Sequence, residues 1–358
     1  LAMYFLYFAL ALLLTLIATP LVKKLAIAWG VVDQPDHRKV HTRIMPRLGG
    51  LAIYISFAIC FFLFVPITKE ALGIFIGGTI IVITGALDDK YQLSPKAKMF
   101  GQLIAAMIVV YMGLRVEFIN LPFEGQVYFK WLSIPITIFW LVGVTNAVNL
   151  IDGLDGLAAG VSGIAIAATM VMAFLMGNTL AILLSVILLG SVIGFLFYNF
   201  HPAKIFMGDT GALFLGFNLA ALSILGFKQL TVIAFLVPIL ILGVPLSDTF
   251  FAIIRRIVNK KPISEPDKNH LHHCLLGMGL SHRGAVLVIY MISALFALSA
   301  VLFSQSTLWG AAIIIGAVLI LLELGSEVIG LVGKKNRPLL RMARIIRWRY
   351  RLVNRSWK

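Results

Sequence analysis

Apolar runs of about twenty residues, the length that crosses a bilayer as a helix, follow one another along the chain, with short polar stretches between them. They fall at 3–22, 48–66, 71–87, 97–114, 131–148, 157–176, 179–199, 212–227, 230–254, 284–303 and 307–333. The pattern predicts an all-α polytopic integral membrane protein of about eleven transmembrane helices. Pro238 and Pro245 are expected to kink the ninth span. No internal repeat is visible. Residues 1–333 read as a single transmembrane domain, and 334–358 as a basic amphipathic tail suited to the inner leaflet.

Composition adds one exclusion. Hydrophobic residues make up 60%, mean hydropathy is +0.99 and charged residues reach only 13%, against roughly 25% in soluble domains, so no separate soluble domain is expected. The first run has no basic residue before it and no small-residue cleavage site, and Lys23 and Lys24 follow it. It reads as a first span with its N-terminus outside, not as a removable signal. Cys60, in an apolar run, and Cys274, in a polar loop, give no disulfide framework.

The formal charge of +15 could suggest nucleic acid, but the basic residues lie in loops, where lipid surfaces and phosphorylated substrates explain them more simply. If the segment from Lys23 to Arg47 is cytoplasmic, 26 of the 30 Lys and Arg fall inside, and the positive-inside rule gives N-terminus out and C-terminus in. The same frame places all seven histidines and eight of nine aspartates in inside loops. The ninth, Asp248, lies toward the inner end of span nine, where a pairing with Arg255 or a neighbouring helix suffices. The chemistry is therefore expected on the cytoplasmic face.

Five inside loops carry candidate chemistry. Asp88 and Asp89 end span three; adjacent carboxylates repel unless a cation lies near, so a Mg²⁺ site or a general base would justify them, as would a solvated boundary partnered by Lys90. Lys96 and Lys98 follow, as phosphate contacts or membrane anchors. The stretch "NLIDGLDGLAAG", residues 149–160, puts Asp152 and Asp155 at helical spacing with Asn149 one turn earlier, so all three are expected on one face, with Asn146 close by. Its glycines leave amides open to an anion; a plain glycine turn with Asp152 as helix cap is the alternative.

Asp209 sits between glycines just before an apolar helix, as a cap or as a ligand for a hard cation. His270, His272 and His273, then His282 and Arg283, suit a diphosphate better than zinc, because the compact run lacks separated ligand pairs. The loop 31–50 adds Arg38, Lys39, His41, Arg43 and Arg47, which equally fit anchoring to anionic lipid or, at its Pro-Arg-Leu-Gly-Gly end, a phosphate nest. Glu323 and Glu327 need no more than helix–helix hydrogen bonding.

Asp-Asp after span three, Asn-x-x-Asn-x-x-Asp-Gly-x-Asp-Gly-Leu, Phe-Met-Gly-Asp-Thr-Gly and His-x-His-His occur in that order in successive inside loops. The set resembles the polyprenyl-phosphate N-acetylhexosamine-1-phosphate transferases over nearly the whole chain. Arg38, Lys39 and His41, the Pro-Asp-x-x-His-Leu-His-His form of the last motif and the eleventh span look like the branch that uses UDP-N-acetylglucosamine. That branch starts teichoic-acid linkage units and related polymers, whereas the muramoyl-pentapeptide branch serves peptidoglycan. Ala212 stands where the family often has serine.

The resemblance implies transfer of a sugar 1-phosphate from UDP-N-acetylglucosamine to undecaprenyl phosphate in a bacterial plasma membrane. It implies Mg²⁺, with Mn²⁺ as a substitute, on Asp209 and Asn149. Asp88, Asp89, Asp152 and Asp155 take catalytic roles; Lys98, Asn146, His41, His270, His272, His273 and Arg283 bind substrate. Pairing into a homodimer is an option the sequence leaves open. The competing class is an ion-coupled transporter, which needs ionisable groups near the bilayer midplane and access from both sides.

Overall fold

A computed structural model of the chain describes residues 2–33, 44–120, 126–226, 232–262 and 269–329. Among these residues the helices are α1 (Ala2–Ala28), α2 (Gly50–Phe64), α3 (Lys69–Tyr91), α4 (Pro95–Tyr111), α5 (Ser133–Leu150), α6 (Leu157–Leu175), α7 (Thr179–Asn199), α8 (Gly208–Gly226), α9 (Val232–Ile241), α10 (Gly243–Val258), α11 (Leu271–Gly277), α12 (His282–Ser304) and α13 (Leu308–Ile329). Two short antiparallel pairs interrupt them: β1 (Val32–Asp33) with β2 (Met45–Pro46), and β3 (Phe118–Asn120) with β4 (Gln126–Tyr128). The protein is an all-α polytopic membrane protein.

Among the described residues each apolar run falls mainly on helix, but the ninth falls on two. Pro245 has no amide hydrogen for the carbonyl of Ile241, and its ring crowds that carbonyl, so α9 ends there and α10 restarts after Leu242. Among the described residues eight helices are long and apolar enough to cross a membrane, and α2 is a shorter apolar one. Eight of the eleven expected spans thus meet that standard among these residues. The tail 334–358 lies outside the described residues.

The organising element is α8. All of its nineteen residues are buried except Asp209. Lipid tails are as apolar as leucine, so helices in a bilayer associate through close packing and hydrogen bonds between them, and α8 is surrounded by small residues that allow this. A Cβ on Gly50 of α2 would land on the backbone of Gly211, one on Gly85 of α3 would meet the backbone of Thr210, and one on Gly216 would meet the backbone of Thr145 in α5. The Trp140 indole N–H donates to Ser223 Oγ at 2.8 Å, tying α5 to α8 a second time.

The entry to α8 is fixed by the entry to α2. Phe206 N–H donates to the carbonyl of Pro46, and the amides of Gly49 and Gly50 donate to the carbonyls of Phe206 and Met207, all at 2.8 to 2.9 Å. This lattice carries Arg47 to the end of α8 where Asp209 emerges.

Candidate active site

Helix α3 reaches its last turn at Asp88 and Asp89 and closes on Gln92, which adopts the left-handed conformation. Ser94 then caps α4, accepting the amide of Ala97, with Pro95 in the first turn, where no donor is needed. The short link folds α4 back on α3, so Lys98 faces Asp88. Its ammonium lies 2.9 Å from Asp88 Oδ2 and 3.0 Å from Asp209 Oδ2.

Arg47 completes the arrangement from the other side. Its Nη2 lies 3.0 Å from Asp209 Oδ1 and its Nε 3.1 Å from Asp89 Oδ1. Burial alone would make Arg47 easier to deprotonate, but the carboxylates of Asp89 and Asp209 outweigh it and raise the pKa. Two fixed positive groups therefore hold three carboxylates at the junction of α3, α4 and α8.

Asp89 is wholly buried and both of its oxygens are engaged. Oδ1 accepts the Asp209 amide at 2.9 Å, and Oδ2 accepts the Thr210 amide at 2.9 Å and its hydroxyl at 2.6 Å. These are amides that the first turn of α8 leaves unpaired, so Asp89 caps α8. Asp209 is not the cap that the sequence allowed; it is the residue the cap positions. Gly208, at φ +71, leads in, and a Cβ there would strike the Asp89 carboxylate.

Asp152 and Asp155 do not share a helical face. They lie in the non-helical turn between α5 and α6, which Gly156 closes at φ +76, and they have different partners. Asp155 Oδ2 meets His201 Nδ1 at 2.8 Å and the Ala203 amide at 3.1 Å. The Asp155 amide donates to His282 Nε2 at 3.0 Å, and the rings of His201 and His282 stack at 4.3 Å. Arg283 donates to the His201 carbonyl from Nε and Nη2, so much of its guanidinium braces this corner.

The carboxylate of Asp152, in contrast, bonds to no described residue. Burial pushes its pKa up to about 7, with Asp209 adding to the rise and Arg47 opposing it. Asn149 lies one turn before it on α5, and its amide side chain likewise bonds to no described residue. Antiparallel packing of α5 on α8, with Thr145 against Gly216, carries Asn149 toward the Asp209 end. Asn146 is instead tied down: its amide donates to Gln102 Oε1 at 2.6 Å and to the Val142 carbonyl at 2.8 Å.

The histidine motif opens α11. Asp248 accepts from His270 and from the Leu271 amide, His270 lies parallel to His272 at 6.1 Å, and His272 meets His273 at 4.1 Å. A Cβ on Gly153 would land on the His272 ring, so this motif packs directly on the aspartate turn. Burial, with the neighbouring histidines, holds the His272 pKa down to about 4. It is therefore neutral at pH 7.

Asp88, Asp89, Lys98, Asp152, Asp155, Asp209, His270, His272 and Arg283 thus gather where α3, α5 and α7 end and where α4, α6, α8 and α12 begin. His41, with Arg38, Lys39 and Arg43, lies outside the described residues. Thr210 and His201 are site residues that motif reading did not single out, Arg47 was read only as one of a group of basic residues, and Asp248 only as a helix-packing partner. Arg47 carried a signal, since it sits in the Pro-Arg-Leu-Gly-Gly entry to α2; Asp248 carried only its burial cost. Asp88, Asp152, Asp209 and Asn149 supply hard oxygen donors, and the unbonded side chains of Asp152 and Asn149 among them fit Mg²⁺.

Oxygen donors and fixed cations set at one end of a helical membrane protein suit charge-rich reactants delivered to a bilayer surface, and this is the site of a membrane-embedded transferase. Groups confined to one end do not make the midplane pathway of a carrier. Residues 71–227 match the family described as glycosyl transferase family 4. The chain is 50% identical to the Bacillus subtilis (strain 168) protein named probable undecaprenyl-phosphate N-acetylglucosaminyl 1-phosphate transferase, over 92% of this chain and 93% of that one. It is 36% identical to the decaprenyl-phosphate N-acetylglucosaminephosphotransferase of Mycolicibacterium smegmatis, over 88% and 87% of the two chains. A phospho-N-acetylmuramoyl-pentapeptide-transferase of Listeria monocytogenes is 32% identical over 83% and 97%. The chain belongs to glycosyl transferase family 4.

Proposed function

We propose that the protein transfers N-acetylglucosamine 1-phosphate from UDP-N-acetylglucosamine to undecaprenyl phosphate, giving undecaprenyl-diphospho-N-acetylglucosamine and UMP. An oxygen of the lipid phosphate attacks the β-phosphorus of the donor, and the bond to the oxygen shared with the α-phosphorus breaks, so that UMP departs with that oxygen. The observation that carries the reading is the meeting of Asp88, Asp152 and Asp209 around Lys98 and Arg47. The relatives named for N-acetylglucosamine transfer, one of them half identical, support this donor over the muramoyl-pentapeptide one.

Both reactants are anionic, so the protein's task is to position them and offset their repulsion. Among the described residues two of the three N–H donors of Lys98 are engaged by carboxylates, and the third would be offered to the acceptor phosphate. Asp88 holds that ammonium in place; the acceptor phosphate is largely ionised at neutral pH, which leaves little proton transfer to perform. Neutral His272, set against Gly153, supplies hydrogen bonds to the donor. Mg²⁺ held by Asp209 and Asn149, or Mn²⁺ in its stead, would neutralise the diphosphate.

The concentration of Lys and Arg in the loops at the site end supports a site facing the cytoplasm of a bacterial plasma membrane. The lipid-linked sugar would then enter a cell-wall polymer such as teichoic acid. Membranes supplied with undecaprenyl phosphate and radiolabelled UDP-N-acetylglucosamine test the proposal. Labelled lipid and released UMP are expected, abolished by EDTA and restored by Mg²⁺. Transfer only from UDP-N-acetylmuramoyl-pentapeptide would overturn the choice of donor.

A further inference from the structure

The reaction above gives no part to Asp248. This carboxylate lies early in α10 with its side chain 2% exposed, beside an apolar cavity of about 230 Å³ lined by Phe251, Ile292, Phe296, Val318 and Leu322 among others. A carboxylate in such surroundings requires strong partners. Asp248 has two on the segment that opens α11: Oδ2 lies 2.8 Å from His270 Nδ1, and Oδ1 accepts the Leu271 amide at 2.9 Å.

Two consequences follow from these contacts. Helix α11 has only seven residues, too few to be stable without tertiary support, and the Leu271 amide is one that a helix start leaves unpaired. Asp248 therefore anchors the element that carries His272 and His273. The ring nitrogen facing a carboxylate carries the proton, so Nε2 of His270 is the nitrogen left for another partner. The parallel His270 and His272 rings, with His272 on Gly153, extend that order to the aspartate turn.

We propose that Asp248 is a positioning residue for the His270–His273 motif, anchoring α11 and setting the His270 ring so that the imidazoles meet the donor's phosphates. The kinetic half rests on the function proposed above; the anchoring half does not.

The test uses the full-length protein in detergent with UDP-N-acetylglucosamine and undecaprenyl phosphate. In Asp248→Asn the side-chain oxygen can still accept the Leu271 amide, while the NH₂ turns toward His270 and reverses its tautomer. The donor KM should rise about tenfold or more with kcat within about threefold, as for a lost support behind a substrate-binding group. The double variant Asp248→Asn with His270→Ala should be no worse than His270→Ala alone, because residues acting as one unit are not additive. A donor KM equal to that of the parent in Asp248→Asn, or effects that multiply, would overturn the proposal.

Anchoring is read without substrate. Cys60 is fully buried and Cys274 sits on α11, so alkylation reports on α11. Asp248→Ala should speed Cys274 labelling about tenfold relative to the parent, in line with the loss of a charged buried contact; an unchanged rate overturns the anchoring. A parent protein that transfers no sugar phosphate sinks the function while the labelling still decides the anchor. If Asp248→Ala cannot be purified, the Asp248→Asn kinetics decide.

Discussion

Two aspartate pairs stand at the same end of the helices, Asp88 with Asp89 at the close of α3 and Asp152 with Asp155 in the turn before α6. In each, the members divide the labour. Asp89 gives both oxygens to the first turn of α8 and to Arg47, and Asp155 gives its carboxylate to His201 and the Ala203 amide. Among the described residues Asp88 meets Lys98 and Asp209, and the carboxylate of Asp152 bonds to none. In the proposed reaction the first aspartate of each pair would face the reactants and the second would build the wall behind it. Identical side chains a few residues apart thus have unlike surroundings: among the described residues the second of each pair accepts backbone amides, and the first does not.

The largest effect that would break this division is at Asp209, which both pairs flank. Asp209→Asn should lower transfer on the order of a thousandfold with a melting temperature close to the parent's, measured by labelled-lipid formation and thermal unfolding; near-normal transfer would remove Asp209 from the centre. Asp152→Asn should cost about a hundredfold in rate for the same reason, yet leave the fold more stable at pH 8.

That sign follows from linkage. A folded-state pKa of about 7 exceeds the unfolded value of about 4, so the carboxylate destabilises the fold increasingly as pH rises from about 4 to 7. Transfer by the parent should rise with pH through about 7 as Asp152 ionises, and Asp152→Asn should lose that rise. A parent profile flat from pH 6 to 8 would contradict the assignment.

Asp89→Ala inverts the pattern. It strips α8 of its cap and leaves Arg47 facing fewer charges, so it should destabilise by about 2 to 4 kcal/mol, seen as a lowered melting point before activity is assayed. An Asp89→Ala protein of normal stability but no activity would erase the distinction between the two members. The smallest effect is expected from Gly153→Ala, whose methyl group displaces the His272 ring: the donor KM should rise about threefold, on the scale of a displaced hydrogen bond, with kcat unchanged.

Much of this was legible from the chain. Hydropathy located the helices, and the sorting of aspartate and histidine into loops of one side gave the end at which they meet. Local spacing was less reliable. Helical periodicity put Asp152 and Asp155 on one face, but Gly153 and Gly156 let the backbone leave the helix between them, and the two side chains part. The hydrogen bond of Asn146 to Gln102, 44 positions away, has no trace in local spacing. Asp248 was read as a partner of Arg255 or of a neighbouring helix; its carboxylate does hold the start of a helix, α11, but nothing local told which one. The motifs specify which residues meet; the caps and back-side braces are set by helix packing, which spacing does not encode.

The burial of α8 bears on how this protein lives with its bilayer. Apart from Asp209, no side chain of that helix reaches the outside, so acyl chains press on the surrounding ring while the central post is shielded from direct contact. Changes in membrane thickness or fluidity reach the carboxylate only second-hand, through neighbours locked against it at Gly50, Gly85 and Gly216. The reacting centre is thereby insulated from the solvent in which its own acceptor is dissolved.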